Sequence, residues 1–179
     1  MEELIDVLDN KGNKTGIIKK KSDIKKDGDY HRAIAVLVIN NNNEILMQKR
    51  SSNKKVYPNL WSIFVKGHVQ AGETSIDACI RELSEEVGIN ITGNELNYLY
   101  TIFEEVIKEN FIERIFYDTY ILRKDFNLND ITIQEEELSE IKLVDSNNVI
   151  SLIENNDKSL VPNYEDYKRI ITYLKDMNF

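Results

Sequence analysis

The chain has 179 residues, with 41% hydrophobic side chains, 30% charged side chains and a formal net charge of −8 at pH 7. This length and composition predict one soluble globular domain, with small additions at most. The acidic balance argues against binding of nucleic-acid polymers, and no apolar run approaches the ~20 residues of a membrane span. Because the N-terminal segment is polar and lacks a hydrophobic signal region, we expect a cytoplasmic protein.

The first elements along the chain are a predicted hairpin and a short helix. Residues 3–7 and 16–19 flank the turn-forming loop 9–13, which is the pattern of a β-hairpin. Ser22 is the expected N-cap of a helix that ends near Gly28. We expect residues 1–28 to form an N-terminal hairpin extension and residues 29–179 to form the main domain.

The next segments predict the strands of the core. The run 31–39 is almost continuously apolar and indicates a buried strand, and residues 44–49 return as a second strand. The basic loop 50–55 begins with Arg50 and is either solvated surface or a lip that attracts phosphates. Residues 61–65 predict a short strand that leads into the most informative part of the sequence.

A helix is predicted from Ser75, because Thr74 and Asp77 have the spacing of a capping box. Gly88 supplies the left-handed residue at which this helix should end. An apolar stripe at helical spacing should face the core, and it consists of Ile76, Cys79, Ile80, Leu83 and Val87. Three carboxylates should project together from another face, away from the stripe: Glu82, Glu85 and Glu86.

These clustered carboxylates indicate a metal site. They repel one another, and they lie near the C-terminal end of the helix, where the helix dipole disfavours anions. Divalent cations remove the repulsion, and carboxylate oxygens are natural ligands of Mg²⁺ and Mn²⁺. Because Mg²⁺ often binds through a few carboxylates together with substrate phosphates, the pattern favours phosphate chemistry. A solvated acidic helix face is the alternative.

The C-terminal half predicts three more strands and two helices. The strands are expected at residues 96–103, 111–122 and 140–144, and the helices at 146–153 and 163–175. The last helix has an apolar side made of Tyr164, Tyr167, Ile170, Ile171 and Leu174. Helices combined with antiparallel or mixed strands, without a regular βαβ alternation, predict a layered α/β fold.

The motif around the helix resembles the signature of the Nudix hydrolases. The spacing Gly67-x5-Glu73-x7-Arg81-Glu82-Leu83-x-Glu85-Glu86-x-Gly88-Ile89 matches that signature at every fixed position. The resemblance implies an α/β/α sandwich with a mixed sheet, to which the N-terminal hairpin is an addition. It also implies metal-dependent hydrolysis of a phosphoanhydride bond in a nucleoside diphosphate linked to another group.

The resemblance implies a role for each motif residue. Glu82, Glu85 and Glu86 would bind Mg²⁺ or Mn²⁺, with the backbone carbonyl of Gly67 as a further ligand. Glu73 and Arg81 would form a pair that supports the motif loop, so the expected catalytic residues are Glu73, Arg81, Glu82, Glu85 and Glu86. The general base is left open, and the candidates are Glu85, Glu113, Glu135, Glu136 and Glu137.

A second resemblance is to the branch that includes isopentenyl diphosphate isomerase. It is carried by residues 29–33, 48–51, 57–61 and the pair Gly67-His68. In that isomerase, histidines at the positions of His31 and His68 bind a metal, and a catalytic cysteine stands where this chain has Lys66. Because that cysteine is absent here, and Ile24 stands near the place of a further metal-binding histidine, the sequence favours a hydrolase related to the isomerase.

The expected partner is a small-molecule diphosphate, contacted by Lys66, His68 and Arg50. Whether His31 and His68 bind metal is left open. Two other functions are kept as alternatives: an isoprenoid diphosphate isomerase, and a nucleotide-binding regulatory module without turnover. The oligomeric state is open as well, with a homodimer as one alternative.

Overall fold

The computed structural model describes residues 2–108 and 111–176. Within these ranges the helices are α1 (Lys21–Asp27), α2 (Ser75–Val87), α3 (Ser146–Glu154) and α4 (Tyr164–Asp176). The strands are β1 (Leu4–Leu8), β2 (Lys14–Lys20), β3 (Tyr30–Ile39), β4 (Glu44–Arg50), β5 (Trp61–Ser62), β6 (Phe64–His68), β7 (Leu96–Lys108), β8 (Phe111–Arg123) and β9 (Leu138–Asp145). All of these strands belong to one open mixed sheet.

Strand β3 is the centre of the sheet. It pairs in parallel with β8 along its whole length and antiparallel with β6. Strand β7 pairs with β8, and β4 pairs antiparallel with both β5 and β9. Strands β3 and β4 are registered only at Ile39↔Ile45. In the described part of the chain β4 and β6 are not paired with each other, and a narrow cleft lies between them.

Helices cover both faces of the sheet, which confirms the predicted α/β/α sandwich. Successive side chains of a strand point to opposite faces, so β3 contributes to two cores. One core packs against α2 and includes Ile34, Val36, Val38, Val65, Ala78, Leu83 and Val87. The other packs against α3 and α4 and includes Ala35, Leu37, Ile39, Phe64, Val149, Ile170 and Leu174. No helix within the described ranges is long and apolar enough to span a membrane.

Helix α2 begins and ends where the sequence predicts. The Thr74 hydroxyl accepts a hydrogen bond from the Asp77 backbone N–H, and the Asp77 carboxylate accepts one from the Thr74 N–H. Gly88 ends the helix with φ of 64°. The stripe residues Cys79, Leu83 and Val87 are buried, whereas Ile76 is 40% exposed. Ile76 lies in the first turn, and its side chain packs against the backbone of Gly93 and not into the core.

The N-terminal hairpin is present and adds two strands to the sheet. Strands β1 and β2 are antiparallel, and β1 joins the main sheet at Leu8↔Tyr30. Arg32 fixes the hairpin loop, because its Nη2 donates to the Gly12 carbonyl at 3.0 Å and its Nη1 donates to Asp118 at 2.6 Å. The division of the chain at residue 28 stays a prediction.

The N-cap assigned to α1 from the sequence is wrong. Lys20 occupies the N-cap position, without a side-chain hydrogen bond, and the helix starts at Lys21. Ser22 lies one residue inside the helix, where its backbone N–H donates to the Glu2 carboxylate at 3.1 Å. A glutamate from the preceding segment therefore satisfies the helix start from outside. The predicted end at Gly28 is correct, and Gly28 is left-handed with φ of 70°.

Three later elements differ from the prediction in extent. The predicted strand 61–65 is divided into β5 and β6, with the buried residue Ile63 between them. Strand β7 continues to Lys108, because it stays paired with β8 beyond the predicted end. On α4, Tyr167, Ile170 and Leu174 are buried as predicted and Ile171 is partly buried. The side chain of Tyr164 lies outside the described part of the structure.

Candidate active site

Strand β6 brings the backbone of Gly67 against the motif helix. A Cβ atom at Gly67 would lie 2.0 Å from the carboxyl carbon of Glu82. No side chain fits in that space, so a glycine is required for the carboxylate to rest against the strand. The contact explains in physical terms why a glycine opens the motif, fifteen residues before the glutamate that it touches.

Arg81 connects the motif loop to the motif helix. Its Nε and Nη2 bind the two oxygens of Glu73 at 2.8 and 3.1 Å. Its Nη1 donates to Glu82 at 2.6 Å and to Glu85 at 3.2 Å, and its Nη2 also reaches the backbone carbonyl of His68 at 2.9 Å. The expected supporting pair is thus in contact, although its role in catalysis stays a prediction.

The three motif carboxylates, which the sequence places on one side of the helix away from the apolar stripe, differ in their exposure. Glu82 and Glu86 are only 8% and 7% exposed, whereas the Glu85 side chain is 55% exposed. Residues four apart lie on the same helix face, and here the Glu82 and Glu86 face is turned towards the sheet. Burial raises the pKa of Glu86 to about 8, and the charges of Glu82 and Glu137 add to this effect. Burial also raises the pKa of Glu82, against the opposing effect of Arg81.

This donor set fits a divalent cation. Two carboxylates are held in a buried site at a cost that the chain offsets only in part, through Arg81. A bound cation reverses such a cost, because its charge dominates the electrostatics of the site. Carboxylate oxygens are hard ligands of the kind that Mg²⁺ and Mn²⁺ prefer. Binding of such an ion by Glu82, Glu85 and Glu86 stays a prediction.

A second set of donors lies beyond Gly67. Among the residues that the structure describes, one group of three metal-binding side chains has its ligand atoms within 4.8 Å of one another, namely His31, His68 and Glu113. The two rings stack at 5.3 Å, and the Nε2 atoms of both are buried without a partner in the described ranges. Burial lowers the pKa of both histidines, so the rings are neutral, as metal ligands must be.

Comparisons with known proteins identify the family to which this chain belongs. The NUDIX domain profile matches residues 29–164. This chain belongs to the Nudix hydrolase family. Nudix hydrolase 3 of Arabidopsis thaliana is 33% identical over 90% of this chain, which spans only 22% of that protein. An uncharacterized Nudix hydrolase of Listeria monocytogenes is 32% identical over 80% of each chain.

The isomerase branch is also represented among the relatives of this Nudix protein. Isopentenyl-diphosphate Delta-isomerase 2 of Photorhabdus laumondii is 30% identical over 87% of this chain and 84% of its own. A crystal structure of the Deinococcus radiodurans protein DR0079 covers 99% of this chain and 100% of its own, with a TM-score of 0.66 at 17% identity. The family resemblance inferred from the sequence and the Nudix fold are therefore both confirmed.

Lys66 of the Nudix chain points to an anionic partner within the fold. Its Nζ lies 3.4 Å from Oδ2 of Asp166, a completely buried carboxylate in α4. The same Nζ lies 4.2 Å from the centre of the Tyr117 ring. The Lys66 side chain is still 27% exposed and borders the cleft between β4 and β6. Its proposed contact with a substrate phosphate stays a prediction.

Arg50 and the basic loop that follows lie beside the Nudix motif. Arg50 borders the same cleft as Glu86, and its Nε donates to the Val56 carbonyl at 3.1 Å. Lys54 forms an ion pair with Glu137. The loop borders the cleft at Arg50, and residues 52, 53 and 55 are exposed, so both interpretations of the loop, solvated surface or a lip that attracts phosphates, stay open. Binding of substrate by Arg50 and His68 stays a prediction.

The candidates for the general base occupy different environments. Glu85 is exposed and shares Arg81 with the other motif carboxylates. Glu113 is paired with Lys25 at 2.5 Å, and Glu137 is paired with Lys54. Glu135 and Glu136 are exposed.

Sequence reasoning missed three residues at the cleft: Gln48 and Asn163 line it, and Asp166 accepts a hydrogen bond from Asn163. Gln48, Asn163 and Asp166 are 4%, 7% and 0% exposed. Gln48 lies in a strand whose sequence pattern predicts only burial. Asn163 and Asp166 lie at the start of a helix whose sequence pattern predicts an apolar side and no binding site. A polar residue inside an otherwise buried segment is the one signal that could have found Gln48.

Proposed function

We propose that this chain is a metal-dependent hydrolase that cleaves the phosphoanhydride bond of a nucleoside diphosphate-type substrate. The observation that carries this proposal is the complete Nudix motif, folded so that Glu82 is buried against Gly67 and Glu86 is buried at the cleft. The proposed cofactor is Mg²⁺ or Mn²⁺, held by Glu82, Glu85, Glu86 and the Gly67 carbonyl. When bound, such a cation neutralises diphosphate charge and lowers the pKa of the attacking water.

The chain's own residues then have separable tasks. Arg81 orients the motif carboxylates and ties them to Glu73 through charge-assisted hydrogen bonds. Glu85 is the most exposed of the motif carboxylates, so it is the one best placed to accept a proton from a water molecule. Arg50 and Lys66 supply positive charge at the edge of the cleft, where they can contact phosphate oxygens.

An isoprenoid diphosphate isomerase is the second candidate, and it is supported by the isomerase relatives. Lys66 occupies the position of the isomerase cysteine, so the protonation chemistry lacks its thiol. The single cysteine of this chain, Cys79, lies on the buried side of α2 and is completely buried, and burial raises its pKa. It cannot reach the cleft from that position. The hydrolase is therefore the better supported of the two enzymes.

The remaining expectations belong to the same proposal. The substrate is a small molecule and no nucleic-acid polymer, and the location is the cytoplasm. A regulatory module without turnover would use the same fold to bind a nucleotide only. The general base among Glu85, Glu113, Glu135, Glu136 and Glu137 is to be assigned by experiment.

The test is phosphate release from nucleoside diphosphates, nucleoside triphosphates, nucleotide sugars and isopentenyl diphosphate, measured with Mg²⁺, Mn²⁺ or EDTA. The hydrolase predicts metal-dependent turnover that Glu85→Gln lowers by roughly a hundredfold or more. Glu165→Gln, which removes an exposed charge on α4, is the matched control and should retain activity. Metal-independent turnover, or none with any compound despite Mn²⁺ binding, would contradict the proposal.

A further inference from the structure

Two side-chain amides that line the cleft between β4 and β6 have oxygen atoms that accept no hydrogen bond from the described residues. Gln48 and Asn163 both line it and are 4% and 7% exposed. The Oε1 atom of Gln48 and the Oδ1 atom of Asn163 are buried, and neither has a hydrogen-bond partner within residues 2–108 and 111–176. Buried polar groups are nearly always paired in folded proteins, so two unpaired oxygens in one cleft indicate a missing donor.

The orientation of each amide is set by its neighbours. The Nε2 atom of Gln48 donates to the Phe64 carbonyl at 2.7 Å, and the Nδ2 atom of Asn163 donates to the Asp166 carboxylate at 2.7 Å. Both partners are acceptors only, so a flipped amide would face oxygen with oxygen. The oxygen atoms are therefore the groups left over for a ligand.

Further contacts hold the Asn163 side of the cleft in place. Asp166 accepts from Thr119 Oγ1 at 3.4 Å on the opposite oxygen, and Lys66 lies 3.4 Å from the oxygen that Asn163 binds. The negative charge of Asp166 thus fixes the amide nitrogen of Asn163. An acceptor that is fixed before binding loses little conformational entropy when a ligand arrives.

One side of the cleft is lined by charged side chains and the other by apolar side chains. Glu86, Arg50 and Lys66 border it on the side of the motif, whereas Phe64, Val161 and Tyr167 give it apolar walls. Its volume is about 50 Å³, which admits the edge of a ring or a hydroxyl group and not a whole nucleotide. A methyl group would fit the same space but would leave both amide oxygens desolvated and unpaired.

We infer that Gln48 and Asn163 determine substrate specificity by accepting hydrogen bonds from N–H or O–H groups on the organic part of the diphosphate substrate. The chemical class is a nucleobase edge or a sugar hydroxyl, as a nucleoside diphosphate offers, and an isoprenoid chain is rejected because it carries no donor. This inference rests on the proposed function, because it takes the diphosphate to lie at the motif. It adds the residues that recognise the rest of the molecule.

The first experiment measures binding without turnover. Inorganic phosphate, isopentenyl monophosphate and the four common ribonucleoside monophosphates are titrated into ¹⁵N-labelled protein, and the side-chain NH₂ signals of Gln48 and Asn163 are followed by NMR. At least one nucleotide should shift both signals and bind more tightly than isopentenyl monophosphate. Gln48→Leu and Asn163→Ser should each weaken that nucleotide roughly tenfold and leave inorganic phosphate unchanged. Gln48→Leu leaves the Phe64 carbonyl with the Ser62 hydroxyl as donor at 2.8 Å.

Asn40→Ala is the matched control. Asn40 is also a buried amide, but its oxygen already accepts from the N–H groups of Asn42 and Glu44, so its removal should lower stability without changing nucleotide affinity. Equal binding of nucleotides and isopentenyl monophosphate, unmoved amide signals in the wild type, or unchanged affinity in both cleft variants would mean that the cleft holds ordered water only.

A second measurement separates this inference from the proposed function. The ratio of kcat/KM for the preferred nucleoside diphosphate to that for isopentenyl diphosphate should fall roughly tenfold in each cleft variant. Turnover with an unchanged ratio would overturn the inference and leave the hydrolase intact. Selective nucleotide binding without any metal-dependent turnover would overturn the hydrolase and leave the role of Gln48 and Asn163 standing.

Discussion

The two ends of the candidate site satisfy their polar groups in opposite ways. At the motif end, Arg81 binds Glu73, Glu82 and Glu85 within hydrogen-bond distance. At the cleft end, the amide oxygens of Gln48 and Asn163 have no partner among the described residues. The motif end is thus neutralised in part by Arg81, whereas the cleft end keeps two acceptors without a partner. In the proposals above, catalysis and recognition are assigned to these separate sets of side chains.

The largest effect is expected when the internal neutralisation is removed. Arg81→Met leaves the buried Glu82 without its counter-ion, and the metal-free protein should lose about 3 to 5 kcal/mol of unfolding free energy. Urea denaturation in EDTA measures this change. Lys168→Met, which breaks an exposed ion pair with Glu165, should cost less than about 1 kcal/mol. Equal losses of unfolding free energy in Arg81→Met and Lys168→Met would show that the counter-ion of the buried Glu82 contributes no more than an exposed ion pair.

A pH titration of stability tests the burial of Glu86. The pKa of this group is raised from 4.5 in its ordinary state to about 8 in the fold. Between these values the folded protein keeps a proton that the unfolded chain releases, so unfolding free energy should fall by a few kcal/mol as pH rises from about 5 to 8. Glu86→Gln should flatten this slope. Denaturant melts in EDTA at several pH values provide the measurement, and an unchanged slope in the variant would contradict the assignment.

Lys66 directly precedes Gly67 of the motif, borders the cleft and pairs with Asp166. Lys66→Ala should raise KM several-fold if the ammonium contacts a substrate phosphate. Because it also removes a partner of the buried Asp166, it should cost about 1 to 3 kcal/mol of stability. Steady-state kinetics and a denaturant melt separate the two effects. Lost stability with an unchanged KM would show that Lys66 serves the fold alone.

The smallest effect is expected at Glu95, a partly exposed carboxylate that has the opposite pH dependence from Glu86. Its hydrogen bond to Lys124 and those to Thr92 lower its pKa to about 2. A lowered pKa stabilises the fold above the ordinary value of 4.5, and this stability is lost as pH falls towards 2. Glu95→Gln should therefore lower Tm slightly at pH 7 and not at pH 2. A larger change in Tm at pH 2 than at pH 7 would reverse the predicted sign.

The motif end could be predicted because its information is local. One stretch, residues 67–89, contains the capping box, the helix, the left-handed Gly88 and every carboxylate, so spacing alone brings them together. Spacing did not reveal which carboxylates face the sheet, because that depends on the close approach of Gly67 to Glu82. Glu86 lies on the same helix face as Glu82 and is buried with it, whereas Glu85 is exposed.

At the cleft end, the sequence analysis assigned Arg50 and Lys66 to the substrate but did not find Gln48 and Asn163, since the cleft residues come from distant segments. Gln48 lies in β4, Lys66 in β6 and Asn163 just before α4, and only the folded sheet brings them to one cleft. The same reason explains the missed N-cap of α1, where a glutamate outside the helix satisfies the first turn. Strand and helix positions were accessible from apolar periodicity, because burial acts on each segment separately, whereas the α/β/α layer order was implied by the resemblance of the motif to the Nudix signature.

The absence of a side chain at Gly67 determines which substitutions at this position the motif can accommodate. Alanine adds one methyl group, yet here that methyl would occupy the space of the Glu82 carboxyl group. A change that is among the mildest at most positions therefore has to displace a motif carboxylate at this one. One small substitution would disturb the centre with every charged residue of the motif still in place.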